Sequence, residues 1–300
     1  MARRDLRPAL RQPKPTQAAA TTTHRSGSVG ADTQEPFVSL RSVLILLPPS
    51  EGKCAPLDGP VLEPSRLSFP SLTPTRESVL SALIATCRRD VDAAAAVLGL
   101  GPTQRGQVGA NTLLRSEPCA PAIAVYTGVL YEALDYPGLT AAGRRRADQH
   151  VAIASALWGL VRPGDLIPAY RLSAGTTLPG LGPLTRAWRG PVSAAIAGVE
   201  GLIVDLRSGG YVALGPVPEP AATRSVTVRV LQERGGRRTI VSHHNKATKG
   251  RLVRALLSSR RTPRTPADFV RALDALGFRV ETAAVRRGQP RSVDVIVDHA

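Results

Sequence analysis

The sequence is short of the residues that would make it easy to classify. Its three cysteines, Cys54, Cys87 and Cys119, are odd in number and too widely spaced for a zinc knuckle. Neither a disulfide framework nor a Cys-based metal site is signalled, and a reducing compartment fits. Long apolar runs are missing too: Val43 to Leu47 is only strand-sized, and the Ala-rich runs near Ala93 and Ala194 are short and interrupted, so no membrane partner is expected. Gly-x-Ser-x-Gly, His-Glu-x-x-His, paired-Cys and GxGxxG signatures are absent, so no standard catalytic machine is visible, and no metal or cofactor is expected. Lysine is scarce, with four residues against 35 arginines. Where composition favours Arg, a retained Lys marks a position suited to a compact ammonium or a titratable amine.

What is present is a chain of 300 residues, 43% hydrophobic, enough for an ample core, with a formal charge of +16. The charge is unevenly spread. Residues 43–223 hold 15 Lys or Arg against 14 acids, whereas residues 224–300 hold 17 against six. A basic C-terminal quarter on a neutral body points to a polyanionic partner. Residues 1–42 are rich in Arg, Thr, Ala and Pro without apolar periodicity, and read as a disordered, dispensable tail before a single domain, 43–300.

Val43–Leu47 reads as a buried strand running into the polar loop Pro48–Lys53, with Glu51 and Lys53 at its end. Thr73-Pro74 opens a helix with Val79, Leu83, Val91 and Leu98 on its inner face and Gly99 as its stop. Ala122–Tyr126 reads as a second buried strand, a helix starts near Thr140, and Val151–Ser155 and Leu202–Leu206 read as further strands. Leu184–Ala197 reads as a helix interrupted by Gly190-Pro191. Ser225–Leu231 and Thr239–His243 alternate like antiparallel strands across Gly235-Gly236. A helix follows through Leu252–Leu257, then another after Pro266 and closing strands from Phe278 and Val293. The class is α/β, mixed α+β: a mixed parallel and antiparallel sheet flanked by helices, with ligand-binding groups expected in a positively charged cleft at the strand ends.

Three stretches carry candidate chemistry. Ser155–Thr177 combines Trp158 and Leu160 with the breakers Pro163-Gly164 and Pro168, and sets Arg162, Asp165, Tyr170 and Arg171 on a fixed turn. Arg162 and Asp165 read equally as site groups or as an ion pair tying down that turn. The second stretch, Ser242–Arg251, leads into a helix carrying Lys246, Lys249, Arg251 and Arg254, a pattern suited to phosphate contacts. His243-His244 makes a poor metal site, because neighbours on a strand point to opposite faces. Third, Tyr126, Ser208 and Tyr211 stand at strand ends. Lys53, Tyr126, Tyr170 and Lys246 are the candidate catalytic groups, as titratable amines with phenol partners.

Taken in order, Leu44–Lys53, Val125-Tyr-Thr-Gly128 with Tyr131, Leu157–Leu172, Val204–Ser208 with Tyr211, and Asn245–Gly250 resemble the YaaA-type peroxide stress protein family. The resemblance runs from about Val43 to the C-terminus. It implies a cytoplasmic protein that limits peroxide damage, with a mixed α/β fold, a basic cleft and double-stranded DNA binding through a helix-hairpin-helix-like element. Its cleft would include Lys53, Tyr126, Arg162, Tyr170, Arg171, Ser208 and Lys246. DNA binding is expected to be mainly non-specific, since no recognition-helix pattern is present. The alternative is an enzyme acting on a nucleotide or nucleobase, its small-molecule ligand unnamed.

Overall fold

The computed structural model describes residues 43–234, 237–239, 242–284 and 286–298. These residues belong to one compact unit. The expected tail and the Gly235-Gly236 turn lie outside the described residues.

The run Leu44–Leu47 forms β1, buried along its whole length as a central parallel strand requires. The segment expected to be one helix is two, α1 (Thr73–Arg89) and α2 (Val91–Leu98), because the Asp90 carboxylate accepts the Ala93 amide at 2.7 Å and starts a new helix; Gly99 (φ 63°) ends it. Val91, expected on the inner face, is exposed as a result.

After α3 (Gly106–Thr112) and the two-residue strand β2 (Ala120–Pro121), the expected strand at Ala122–Tyr126 is instead a single helical turn, α4 (Ala122–Val125). A short apolar run fits either state by pattern alone. Here local bonds decide it, with the Ala122 and Ile123 amides donating to Asp165 and Pro163 and the Tyr126 amide closing the turn on Ala122. Next come α5 (Val129–Leu134), α6 (Ala141–His150) capped by Thr140, β3 (Val151–Ser155) and β4 (Gly159–Val161). Two short pairings follow: β5 (Leu166–Ile167) lies against β2, and β6 (Thr177–Leu178) against β7 (Gly182–Pro183).

Helix α7 (Leu184–Ala197) runs through Pro191 without a break. Its buried stripe Leu184, Trp188, Val192 and Ile196 continues across the proline, so packing outweighs the missing hydrogen bond. Beyond it lie β8 (Ile203–Asp205), α8 (Gly209–Ala213), α9 (Glu219–Ala222), β9 (Ser225–Arg234) and β10 (Arg237–Thr239). Of the strand expected over Thr239–His243, Thr239 lies in β10, residues 240 and 241 lie outside the described residues, and Ser242 and His243 belong to α10 (Ser242–Ser258). Then come α11 (Pro266–Ala275), β11 (Arg279–Thr282) and β12 (Arg291–Asp298).

The main sheet has the order β11-β12-β9-β8-β1-β3-β4, with β10 added to β9. Its centre, β3-β1-β8-β9-β12, is parallel; β4, β10 and β11 pair antiparallel. By order of appearance the parallel strands run second, first, third, fourth, fifth, so the direction of build-up reverses between β1 and β8. A sheet of this kind opens a crevice at that reversal, beyond the carboxyl ends of the two strands. One group of helices, α5, α6, α10 and α11, packs together, and a second joins α1, α2, α3 and α7.

Helix α10 runs against the strand direction. Its C-terminal carbonyl at Leu257 is held by Arg146 in a cleft lined by Val43 and His150, at the start of β1 and β3. Its N-terminal half reaches the opposite margin, where Lys249 donates to the Leu206 carbonyl. The first turns of α10 thus stand at the margin where the sheet opens.

Candidate functional site

Lys53 reaches this margin through the loop after β1. A β-bridge joins it to Tyr126, and the Cys54 amide donates to Val125 at 2.9 Å, so α4 and the β1 loop hold the two side chains side by side. The Lys53 ammonium donates to the Ser50 carbonyl at 3.0 Å and lies 4.4 Å from the Tyr170 ring centroid and 5.5 Å from that of Tyr126. Burial pushes its pKa down to about 8, against the pull of the Glu51 carboxylate, and Arg171 lowers it further. The ring faces favour the ammonium, as Glu51 does.

Behind the amine runs a chain of hydroxyls. The Leu157 and Trp158 amides donate to Ser155 Oγ at 3.2 and 2.8 Å and fill its acceptor positions. The Ser155 hydroxyl must then donate to Tyr170 Oη, 2.7 Å away, and Tyr170 in turn to Tyr126 Oη at 2.9 Å. Ser155 also interacts with Tyr126, so the three hydroxyls form one buried cluster. Burial pushes the Tyr126 pKa up to about 12 and that of Tyr170 well above its usual value, so both phenols keep their protons at neutral pH. Tyr131 stacks on Tyr126 at 5.6 Å and donates to the Pro48 carbonyl at 2.8 Å, while Trp158 meets Tyr170 edge-on at 6.0 Å.

Arg171 closes one side. Its guanidinium pairs with Glu51, and its backbone is fixed by the fully buried Asn111, which donates to the Arg171 carbonyl at 2.8 Å and accepts its amide at 3.0 Å. The loop after β8 supplies the other side. Exposed Ser208 caps α8 through its carbonyl, which accepts the Tyr211 and Val212 amides at 2.9 Å. Tyr211 is half-buried; burial first, then the nearby Tyr126 and Glu51, raise its pKa.

The structure brings together Lys53, Tyr126, Tyr170, Arg171 and Tyr211, with Ser208 on the same margin. Arg162 and Asp165, expected in the same cleft, lie elsewhere. Arg162 donates to the Val151 carbonyl at 3.0 Å, at the start of β3, and its guanidinium covers the Phe69 ring at 5.0 Å. The Asp165 carboxylate accepts the Arg162 amide at 2.8 Å and the Ser68 amide and hydroxyl. Ser155, the hydroxyl that holds Tyr170, is at the far end of the same strand, about 13 Å away at some 3.3 Å per residue. The two residues hold a turn by backbone contacts rather than by an ion pair with each other.

The four side chains expected on phosphates also separate. Lys249 is 9% exposed and donates to Leu206, with burial lowering its pKa. Arg254 is bound to the Leu134 and Asp135 carbonyls and ion-paired with Asp135 at 2.9 Å, which ties down the end of α5. Lys246 and Arg251 are exposed. Other cations remain unengaged: Arg260, Arg261, Arg264, Arg286, Arg287 and Arg291 have no side-chain partner among the described residues. Arg286, Arg287 and Arg291 line an open cleft of about 290 Å³ with Thr265 and Pro266, at the start of α11.

Sequence reasoning missed four buried polar side chains that shape this margin. Ser155 ends a strand without looking like a site residue. Arg76 is fully buried and donates to the Trp158 and Leu160 carbonyls at 3.0 and 2.8 Å, fixing the Trp158 turn. Asp205 and Arg207 form a buried ion pair at 2.7 Å; the signal for it was a carboxylate inside an apolar strand, which demands a partner. No group of three His, Cys, Asp or Glu side chains suited to a metal occurs among the described residues, and no helix there is long and apolar enough to cross a membrane.

Comparison with known proteins adds the last element. Residues 43–284 match the model of a family described as peroxide stress protein YaaA. A UPF0246 protein of Streptomyces coelicolor is 47% identical over 258 residues, covering 85% of this chain and 98% of that protein. One of Corynebacterium efficiens is 44% identical over 260 residues, covering 85% and 100%. A more distant one, from Burkholderia lata, is 31% identical over 179 residues, covering 55% and 68%.

Proposed function

The chain belongs to the peroxide stress protein YaaA family, and from that premise we propose that it is a DNA-binding protein of the peroxide stress response, acting in the cytoplasm and holding duplex DNA through phosphates. The observation that carries this reading is the clustering of arginines without side-chain partners among the described residues: Arg260, Arg261 and Arg264 between α10 and α11, and Arg286, Arg287 and Arg291 before and at the start of β12. Arg229 and Arg238 in the same quarter are instead paired, with Asp294 and Glu281. Cations left free in a region with a balance of +11 suit a polyanion. Fluorescence anisotropy with a labelled short duplex tests it. Binding that weakens steeply with salt supports the reading, and no binding at low salt overturns it.

A second reading is favoured by one observation, the Lys53 amine held against two phenol rings with its pKa lowered to about 8. Such a group suits an enzyme acting on a nucleotide or nucleobase at the crevice between β1 and β8. In that reading Lys53 and Tyr126 are the reacting groups, Tyr170 orients Tyr126, and Arg171 and Lys246 supply positive charge.

A further inference from the structure

Lys53 and Tyr126 are neighbours in a β-bridge, and of the two only the amine reaches the surface. The amine makes one hydrogen bond, to the Ser50 carbonyl, and is only partly buried. Tyr126 is fully buried, with its hydroxyl bonded to Tyr170, and offers the amine a ring face. A lysine amine needs no cofactor to condense with a carbonyl, and this one is held against the Tyr170 and Tyr126 rings. The same margin carries the start of the 17-residue helix α10, with exposed Lys246, and the Arg171 guanidinium. The positive charge of Arg171 near the amine, and of Lys246 on the same margin, suits a phosphate attached to the reacting carbon skeleton.

We propose that Lys53 captures phosphorylated sugar aldehydes as an imine. This rests on the second reading above and names its substrate class. The Lys53 lone pair adds to the aldehyde carbon, forming the C–N bond, and the nitrogen loses a proton as the carbonyl oxygen gains one. The carbinolamine hydroxyl then takes a proton from solvent and leaves as water. The nitrogen lone pair forms the second C–N bond as the water departs, and the resulting iminium gives its N–H proton back to solvent. Amine plus aldehyde gives imine plus water, with no change of oxidation state. The aldehyde has two sources with the same chemistry: the open sugar of an abasic site in duplex DNA, flanked by phosphates, and a free aldose phosphate.

At pH 7.5 about a quarter of an amine with a pKa near 8 is unprotonated, against about a thousandth of an ordinary lysine. That contrast sets the expected result. The full chain is incubated with a duplex carrying one abasic site, or with glyceraldehyde 3-phosphate, and reduced with borohydride; peptide mass spectrometry then locates the adduct among the four lysines. Lys53 should be labelled at least about tenfold ahead of Lys14, Lys246 and Lys249. The Lys53→Arg variant should lose the adduct, because charge is kept while the amine is removed. Because the site is read on the unaltered protein, a variant that fails to fold does not decide the outcome. Labelling spread evenly over the lysines, or absent with both probes, overturns the inference. Adduct with the duplex alone, or with the sugar phosphate alone, upholds it and identifies the source. Anisotropy with an intact duplex runs alongside: binding without trapping leaves DNA binding standing and removes this inference, and trapping of the sugar phosphate without duplex binding does the reverse.

Discussion

The Lys53 ammonium stands 4.4 Å from the centre of the Tyr170 ring although 117 positions separate them in sequence. The parallel pairing of β1 with β3 brings them together. Ser155 ends β3 and binds the Tyr170 hydroxyl, while the loop leaving β1 delivers Lys53 to the same margin. Two chain segments thus make one site through strand register, and its parts respond separately to substitution.

Tyr170→Phe keeps the ring that covers Lys53 and faces Trp158 but removes the hydroxyl between Ser155 and Tyr126. Two buried hydroxyls then lose a partner, at a cost of about 1–3 kcal/mol. The urea midpoint should fall with an unchanged slope. A midpoint equal to that of the unaltered protein would show that the hydroxyl chain does not contribute to stability.

Lys53 also leaves a mark on the pH dependence of folding. Its folded pKa is near 8 against 10.5 in the unfolded chain. Below pH 8 both states carry the proton, and the penalty for burying the charge is fully present. Between pH 8 and 10.5 the unfolded chain holds more protons than the folded one, so this group's contribution to stability rises with pH. Urea midpoints of Lys53→Met and the unaltered protein should therefore diverge across that window, the unaltered protein gaining on the variant. Parallel curves would place the Lys53 pKa near its ordinary value.

Much of the fold was legible because β1 is a wholly apolar run and β3 and β8 are apolar up to their last residues. The end of the sheet that each polar residue occupies was harder to read. Arg162 follows Tyr-free, apolar β4, which pairs antiparallel with β3 and carries the chain back toward Val151. An antiparallel return is invisible in residue types, so Arg162 and Tyr170, only eight positions apart, were expected in one cleft. The burial of Lys249 did have a signal. It precedes Leu252 and Val253 by three and four residues, on the same helix face, and those two are fully buried. Charge suggested a surface position where periodicity suggested an interior one, and periodicity prevailed because the Leu206 carbonyl takes the ammonium's bond.

Gly250 marks where α10 meets α5 most closely. A Cβ there would stand 2.2 Å from the Leu130 carbonyl oxygen and 2.8 Å from Ala133 Cβ. Glycine within a helix normally costs about 1 kcal/mol relative to alanine, so Gly→Ala at an unobstructed site in α10 would be stabilising. Here the nearest obstacle is backbone and cannot rotate away. Gly250→Ala should lower stability by roughly 1–3 kcal/mol, the usual cost of overpacking. The sign is the test: a raised thermal midpoint would mean that α5 and α10 can separate freely.

DNA binding through phosphates predicts different behaviour for two sets of cations in the same basic region. Arg260, Arg264 and Arg287 are exposed and unengaged among the described residues, so each phosphate contact they make adds about 0.9 to the steepness of the log–log plot of affinity against salt. Replacing all three with Ala should flatten that plot by up to about three units, weaken binding alike for unrelated duplex sequences, and leave the unfolding midpoint nearly unchanged. Lys249→Met and Arg254→Ala should do the opposite. Lys249 is bonded to the buried Leu206 carbonyl, which its loss strands at about 1–3 kcal/mol; Arg254 holds the part-buried Leu134 and exposed Asp135 carbonyls, so its loss costs less, and both variants leave the salt slope as it was. Anisotropy titrations at several salt concentrations, paired with urea unfolding of each variant, separate the two sets. If Lys249→Met flattened the slope while the triple variant did not, the phosphate contacts would lie along α10, and the arginines around α11 would not be the DNA-binding face.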